Sequence, residues 1–200
     1  MKILHAEGRE ISEADIREIA QSLRAGGVVV IPTDTCYGFA ADPMNARAMG
    51  KLFAIKQRPP EKSGSLIFAS IDKMKAWAEI SPAQELLLEK NLPGPFTFLL
   101  ESTRAYPLAG AVGARIPDFS FTKRLSGEFD APYTATSANI SGNPSLYDSK
   151  EIAHTFTGVT VEPDLMLACG VLPYHAPSAV VDLRNDQIQI VRHGSYQLKR

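Results

Sequence analysis

The sequence predicts an α/β protein of one domain, in which helices pack against a β-sheet. Predicted strands and helices alternate from the first third of the chain onward. Hydrophobic residues make up 44% of the 200 residues, which is enough to bury a full core. No repeat, linker or low-complexity segment interrupts the pattern. We therefore expect residues 1–200 to form a single domain.

The first helix and strand establish this alternation. Ser12 and Asp15 have the spacing of a capping box, and the apolar residues that follow recur at helical spacing, which predicts a helix over Glu13–Arg24. Gly26-Gly27 ends this helix. The β-branched run at 28–31 then predicts a strand that is buried on both faces.

A polar loop follows this strand within the stretch 31–38 (IPTDTCYG). It offers two threonines, an aspartate and a tyrosine at the end of a core strand, where α/β proteins usually hold small ligands. An ordinary Asp/Thr turn is the alternative. Cys36 lies in this loop without a nearby histidine, so we interpret it as a small apolar residue rather than a nucleophile.

The second helix is predicted to begin at Asp42-Pro43 and to end in the sequence KQRP at 56–59. Lys56, Arg58 and Lys62 then surround a rigid Pro59-Pro60 step. Three cations held close together repel one another unless an anion lies between them. The pattern indicates phosphate binding, with a solvated basic turn as the alternative.

Elements continue to alternate through the middle of the chain. They are predicted as strand 65–70, helix 71–78, a helix capped by Ser81 and running to 88, strands 96–100 and 111–116, and helix 119–125. Arg115 lies within an otherwise apolar strand, where an unpaired buried charge would be very costly. It must meet an anion or solvent, and an ion pair within the protein is the alternative to a ligand.

A second polar loop follows the predicted strand 132–136 and carries Ser137, Asn139, Ser141 and Ser145. Such loops present hydroxyl and N–H groups to oxyanions, although the same residue types are common turn formers. The remaining predicted elements are a helix capped by Ser149 and ending at Gly158, strand 165–168, and a hairpin of 178–183 and 187–192 with Arg192 at its end.

Composition and missing motifs exclude several classes of protein. A net charge of −1 argues against a protein that coats nucleic acid by bulk charge. P-loop, dinucleotide-binding, nucleophile-elbow and zinc-protease motifs do not occur. Two distant cysteines and four scattered histidines have neither disulfide-framework nor metal-ligand spacing, and no window of apolar residues predicts a membrane span. We expect a cytoplasmic protein.

Six motifs in order along the chain resemble those of the YrdC/YciO family, whose best-known members are threonylcarbamoyl-AMP synthases. They occupy 32–38, 56–59, 93–95, 112–118, 136–142 and 178–182. The resemblance implies an α/β fold with a twisted mixed β-sheet, flanking helices and a large concave cavity lined by positive charge.

The resemblance also implies a nucleotidyltransferase reaction. L-Threonine, bicarbonate and ATP would be joined into threonylcarbamoyl-AMP with release of pyrophosphate, and a separate tRNA-modifying transferase would pass the group to an adenosine of tRNA. Such an enzyme mainly holds two anions and a triphosphate in line and needs no protein nucleophile. Mg²⁺ would arrive with ATP, so no protein-ligated metal is expected.

Site residues follow from the resemblance position by position. Those implied for threonine are Thr35, Arg115, Ala135 and Ser178, with Arg115 on the carboxylate. Those implied for the nucleotide are Lys56, Arg58, Lys62, Ser137, Ser145 and Arg192. Lys56, Arg58, Ser137 and Asn139 are the implied catalytic residues. The sequence at 63–66 departs from the commoner family forms, and Ala111 replaces a threonine of some members, so it is assigned no role.

Two other interpretations stay open. A protein that binds tRNA or double-stranded RNA on the same fold would use these cations for backbone phosphates, and its affinity would fall steeply with salt. A YciO-like paralogue would keep the fold and cavity with altered activity. The intact sequences at 56–58 and 137–139 argue against the paralogue, and the departure at 63–65 keeps it open.

Overall fold

A computed structural model describes residues 1–8, 10–58, 64–103, 110–185 and 187–199. Its helices are α1 (Glu13–Arg24), α2 (Ala46–Lys56), α3 (Ile71–Lys75), α4 (Pro82–Asn91), α5 (Ser120–Phe129) and α6 (Ser149–Phe156). Its strands are β1 (Lys2–His5), β2 (Val29–Pro32), β3 (Tyr37–Ala40), β4 (Ser65–Ile67), β5 (Phe96–Glu101), β6 (Ala111–Arg115), β7 (Tyr133–Ser137), β8 (Leu165–Ala168), β9 (Ala179–Asp182) and β10 (Gln189–Arg192).

The strands form one sheet in the order β1-β8-β2-β3-β7-β4-β6-β5-β9-β10. Parallel pairs join β1 to β8, β8 to β2, β4 to β6 and β5 to β9. The other neighbours are antiparallel. The α/β class and the mixed sheet are therefore confirmed.

The predicted start of α1 is also confirmed. Ser12 Oγ accepts the N–H of Asp15 at 3.2 Å, and the Asp15 carboxylate accepts the N–H of Ser12 at 2.9 Å. The buried side chains of this helix belong to the same core cluster as Val29 and Ile31 of β2. Val30 belongs to the cluster on the opposite face of the sheet, which confirms that β2 is buried on both faces.

Two helix starts differ from the prediction. The N-cap of α2 is Asn45, whose Oδ1 accepts the N–H groups of the next turn, because Asp42 instead closes a turn onto the N–H of Met44 at 2.8 Å. The N-cap of α6 is Asp148, and Ser149 is its first helical residue. In both cases two capping residue types stand close together, and tertiary packing selects between them.

The remaining elements lie near their predicted positions. The predicted helix 71–78 is shorter, and Met74 and Trp77 are buried. The hairpin of β9 and β10 is confirmed, whereas Asp186 in its turn and Lys62 of the basic segment lie outside the described residues. In the part of the chain that the structure describes, none of the helices has the length and apolar character needed to cross a membrane.

Candidate functional site

A cavity of about 490 Å³ lies against the sheet, where the ends of several strands meet loops from both halves of the chain. Eight predicted site residues line it: Thr35, Arg58, Arg115, Ala135, Ser137, Ser145, Ser178 and Arg192. Lys56 and Asn139 are not among the lining residues, and Lys62 lies outside the described part of the chain. The structure thus brings together residues that are far apart in the sequence.

The turn between β2 and β3 presents Thr35 and Cys36 to the cavity. Thr33 holds this turn, because its Oγ1 accepts the N–H groups of Thr35 at 3.2 Å and Cys36 at 3.3 Å. The Thr33 hydroxyl also donates to the carbonyl of Cys36 at 2.7 Å. The segment therefore forms an ordinary hydrogen-bonded turn, which was one of the two alternatives from the sequence. Thr33 itself lines the cavity and was not assigned from the sequence.

Arg115 forms an ion pair within the protein, which is one of the two alternatives that the sequence left open. Its Nη2 lies 2.8 Å from Asp34 Oδ1, and the two side chains are 8% and 9% exposed. Burial raises the pKa of the Asp34 carboxyl, and the Arg115 charge opposes part of that rise. Asp34 Oδ2 and Arg115 Nε are buried, and neither has a hydrogen-bond partner among the described residues. The pair therefore makes one hydrogen bond where its two groups have the capacity for two.

Lys56 lies behind the cavity wall and is only 3% exposed. Its Nζ donates to the carbonyl of Ser137 at 2.6 Å, to the carbonyl of Asn139 at 3.1 Å and to Asn139 Oδ1 at 2.9 Å. It also lies 5.6 Å from the centre of the Phe39 ring. Because an ammonium has three protons, these acceptors use all of them. In this structure Lys56 therefore positions the 137–139 loop, and its contact with the nucleotide stays a prediction from the sequence.

Asn139 has a similar position in the wall. Its Oδ1 accepts from Ser137 Oγ at 2.7 Å as well as from Lys56, and its amide donates to the carbonyl of Asn143. Ser137 faces the cavity, whereas Asn139 is 8% exposed and does not line it. Asn139 therefore holds Ser137 in place in this structure, and its catalytic role stays a prediction from the sequence.

The titration of Lys56 should affect stability. Burial, with the nearby Arg58 charge as a second cause, lowers the pKa of Lys56 from its ordinary 10.5 to about 8. Between these values the unfolded chain keeps a proton that the folded chain has lost, so this lysine makes the free energy of unfolding rise with pH. We expect the difference in the free energy of unfolding between the wild type and Lys56→Met to increase from about pH 8 to pH 10.5. Below about pH 8 this difference should be constant. Urea unfolding of both proteins across the interval measures this, and a constant difference throughout would contradict it.

The opposite wall is built on β5, β9 and β10. Ser178 Oγ lies 3.0 Å from Thr97 Oγ1, and Arg192 donates to Ser178 through Nε at 3.0 Å and Nη2 at 3.2 Å. Thr97 lines the cavity and was missed from the sequence. The available signal was a single hydroxyl residue between two phenylalanines in an apolar strand, which must have a polar partner when buried.

Charge in the cavity is positive. Three guanidinium groups line it, from Arg58, Arg115 and Arg192, and its described lining contains no carboxylate. Burial lowers the pKa of Arg192, and the charge of Arg115 adds to this shift, so the two cations repel each other. Burial raises the pKa of the Cys36 thiol, which keeps it uncharged. This arrangement can bind anions through cations and hydroxyl groups.

The fold and the cavity define an α/β protein with a cavity lined by cations and hydroxyl groups. Residues 21–194 match the family model of Sua5, YciO and YrdC proteins, which is described as "Telomere recombination". The chain belongs to this Sua5/YciO/YrdC family.

Three relatives illustrate the range of the family. The chain is 28% identical over 183 residues to a threonylcarbamoyl-AMP synthase of Vibrio vulnificus, covering 88% of this chain and 97% of that protein. Sua5 of P. abyssi in complex with L-threonine superposes with a TM-score of 0.88 at 28% identity, covering 97% of this chain. YciO of E. coli superposes with a TM-score of 0.85 at 25% identity, covering 99% of this chain and 97% of that one. The match spans only 58% of the P. abyssi Sua5 chain.

Proposed function

We propose that this protein is an L-threonylcarbamoyladenylate synthase, a nucleotidyltransferase that joins L-threonine, bicarbonate and ATP and releases pyrophosphate. The observation that carries the proposal is the convergence of three arginines and several hydroxyl groups on one cavity. It is supported by relatives named threonylcarbamoyl-AMP synthase and by a relative that was crystallised with L-threonine.

The proposed site has two parts. Thr35, Arg115, Ala135 and Ser178 hold threonine, with the Arg115 guanidinium on its carboxylate. The nucleotide lies against Arg58, Ser137, Ser145 and Arg192, and the cations meet its phosphates. Lys56 and Asn139 support the nucleotide part by fixing the Ser137 loop. A phosphate contact by Lys62 stays a prediction from the sequence.

The chemistry requires positioning more than a protein nucleophile. The amine of threonine adds to CO₂ derived from bicarbonate and loses a proton, which forms a carbamate. A carbamate oxygen then attacks the α-phosphorus of ATP. The bond between that phosphorus and the oxygen that bridges the α- and β-phosphates breaks, and pyrophosphate leaves. Fixed cations and hydroxyl groups stabilise the charge that develops on the phosphoryl oxygens.

Mg²⁺ is proposed to enter with ATP, bound to its phosphate oxygens. The described lining of the cavity supplies cations and hydroxyl groups, which suit the phosphate oxygens of such a complex. Asp34, the nearby carboxylate, is paired with Arg115. The role proposed for the protein is to bind the metal–nucleotide complex through the nucleotide.

Pyrophosphate release from ATP by the purified protein tests the proposal, with L-threonine and bicarbonate each supplied or omitted in the presence of Mg²⁺. We expect release only when both are present. Release that does not depend on threonine would contradict the proposal.

A YciO-like paralogue with altered activity is the second candidate, and the match to E. coli YciO over nearly the full length of both chains favours it. The same assay separates the two candidates. Binding of ATP and threonine without pyrophosphate release would favour the paralogue.

We also propose that the product passes to a tRNA-modifying threonylcarbamoyl transferase, which would place the function in the cytoplasm. Direct contact with tRNA or double-stranded RNA at the cationic cavity is the alternative use of its arginines. Such contact would make RNA affinity fall steeply between about 50 and 200 mM salt. RNA binding with that dependence, in a protein that binds neither ATP nor threonine, would favour the RNA-binding function.

A further inference from the structure

The Asp34–Arg115 pair lies at the boundary between two cavities. Arg115 lines the cationic cavity, whereas Asp34 is absent from its lining and belongs to a second cavity of about 470 Å³. Thr33 and His175 contribute to both. The carboxylate therefore contacts the guanidinium from the side of the second cavity and does not itself face the proposed substrates.

The geometry of this pair differs from that of the Asp182–Arg184 pair, which lies outside the described lining of the cationic cavity. Asp182 and Arg184 form a closed fork, in which Nε lies 2.9 Å from Oδ1 and Nη2 lies 2.6 Å from Oδ2. Asp34 and Arg115 make one contact, and the second donor and acceptor are buried and have no partner within the part of the chain that the structure describes. The guanidinium is therefore held at an angle that does not give the pair its maximum number of hydrogen bonds, although a buried unpaired polar group is costly.

Both ends of the pair are fixed to the framework. Asp34 is in the turn that the Thr33 hydroxyl closes. Arg115 ends β6, where its carbonyl accepts the N–H of Phe68 at 2.9 Å. A second cation, Arg192, is close enough for the Arg115 charge to affect it, so loss of Asp34 would leave two cations without this counter-charge. The orientation of Arg115 therefore depends on the Asp34 carboxylate.

We infer that Asp34 is a positioning residue that aims the Arg115 guanidinium into the cationic cavity, and that it thereby sets recognition of a carboxylate on the amino-acid substrate. The identity of that carboxylate rests on the proposed function. The orientation of Arg115 does not.

The binding test compares L-threonine with L-threoninamide, which lacks the carboxylate charge, by titration calorimetry. We expect Asp34→Ala to weaken threonine binding by about 10- to 100-fold and to change threoninamide binding little, because only the carboxylate contact depends on the aim of Arg115. Asp34→Asn keeps an oxygen for Nη2 and should give a smaller loss. Equal weakening of both ligands, or of neither, would overturn the inference.

A second measurement does not depend on any ligand. In protein labelled with ¹⁵N-arginine, the Nε–H resonance of Arg115 is identified by its disappearance in Arg115→Lys. We expect faster side-chain motion at this resonance in Asp34→Ala than in the wild type, and unchanged motion would refute the positioning role. If the wild type binds no threonine but this motion still increases, the proposed function fails and the positioning of Arg115 stands.

Asp182→Asn is the matched control. It also removes a buried carboxylate from an arginine pair, and Asp182 lies outside the described lining of the cationic cavity. We expect its threonine affinity and its Arg115 resonance to equal those of the wild type. A loss of threonine affinity in this control as large as that in Asp34→Ala would mean that the loss reflects general destabilisation.

Discussion

Replacing Arg58 by alanine is expected to lower the rate of pyrophosphate release by about 100-fold or more. Arg58 is one of three guanidinium groups that line the cationic cavity, and it follows α2 directly, on the side of the cavity assigned to the nucleotide. Removing a fixed cation from a site where phosphoryl charge develops costs transition-state stabilisation that solvent does not replace. Ser137→Ala should also lower the rate, since Ser137 lines the same cavity.

The control for Arg58→Ala is Arg47→Ala, which removes an exposed arginine from α2. It should leave the rate and the circular dichroism spectrum unchanged. Steady-state kinetics with ATP as the varied substrate separates weakened binding from slower chemistry. If Arg58→Ala turns over at the wild-type rate while folded, the assignment of Arg58 to the phosphates is wrong.

The largest effect on stability is expected for Lys56→Met. Methionine fills much of the space of the lysine chain but leaves the carbonyls of Ser137 and Asn139 without their donor. We expect a loss of about 3 kcal/mol in the free energy of unfolding, because buried acceptors left unpaired are costly and relief from burying the ammonium offsets only part of the loss. The midpoint of urea unfolding, at an unchanged m-value, measures this loss.

Lys51→Met provides the comparison on the same helix. Lys51 pairs with Asp164 at 2.6 Å near the surface, and removal of such a pair costs about 0 to 1 kcal/mol. If Lys56→Met is no less stable than Lys51→Met, then the three hydrogen bonds of Lys56 do not support the 137–139 loop, and the positioning role that we assign to this lysine fails.

Local sequence signals predicted most of the elements but not the order of the strands. The capping box of α1 and the β-branched run of β2 act within a few residues, so they were found where they were expected. Two strands were missed. β1 is only partly buried and forms by pairing with β8, and the segment of β3 contains Gly38 and was taken for part of the polar loop. β1 is fixed by long-range pairing with β8, whereas β3 pairs locally with β2 in a hairpin and at long range with β7.

The candidate site was predicted in part for a similar reason. Residue types and motif order predicted which side chains would be polar near the loops, and eight of them line one cavity. The sequence did not reveal which polar groups face the ligand and which face each other. Lys56 points away from the cavity and donates hydrogen bonds to Ser137 and Asn139, and Thr97 lies within hydrogen-bond distance of Ser178. These partners are far apart in the sequence, and only the three-dimensional arrangement brings them together.

The pairing of β2 with β8 has a consequence for folding in the cell. The N–H of Val28, just before β2, donates to Asp164, just before β8, across 136 residues of chain, and β1 also pairs with β8. Contacts of such high sequence separation slow folding, because the intervening loop must close before they form. During synthesis, the first two strands leave the ribosome long before β8 exists. The apolar surface of β2 is then open to chaperones, and the cavity closes only after β10, which carries Arg192, has been made.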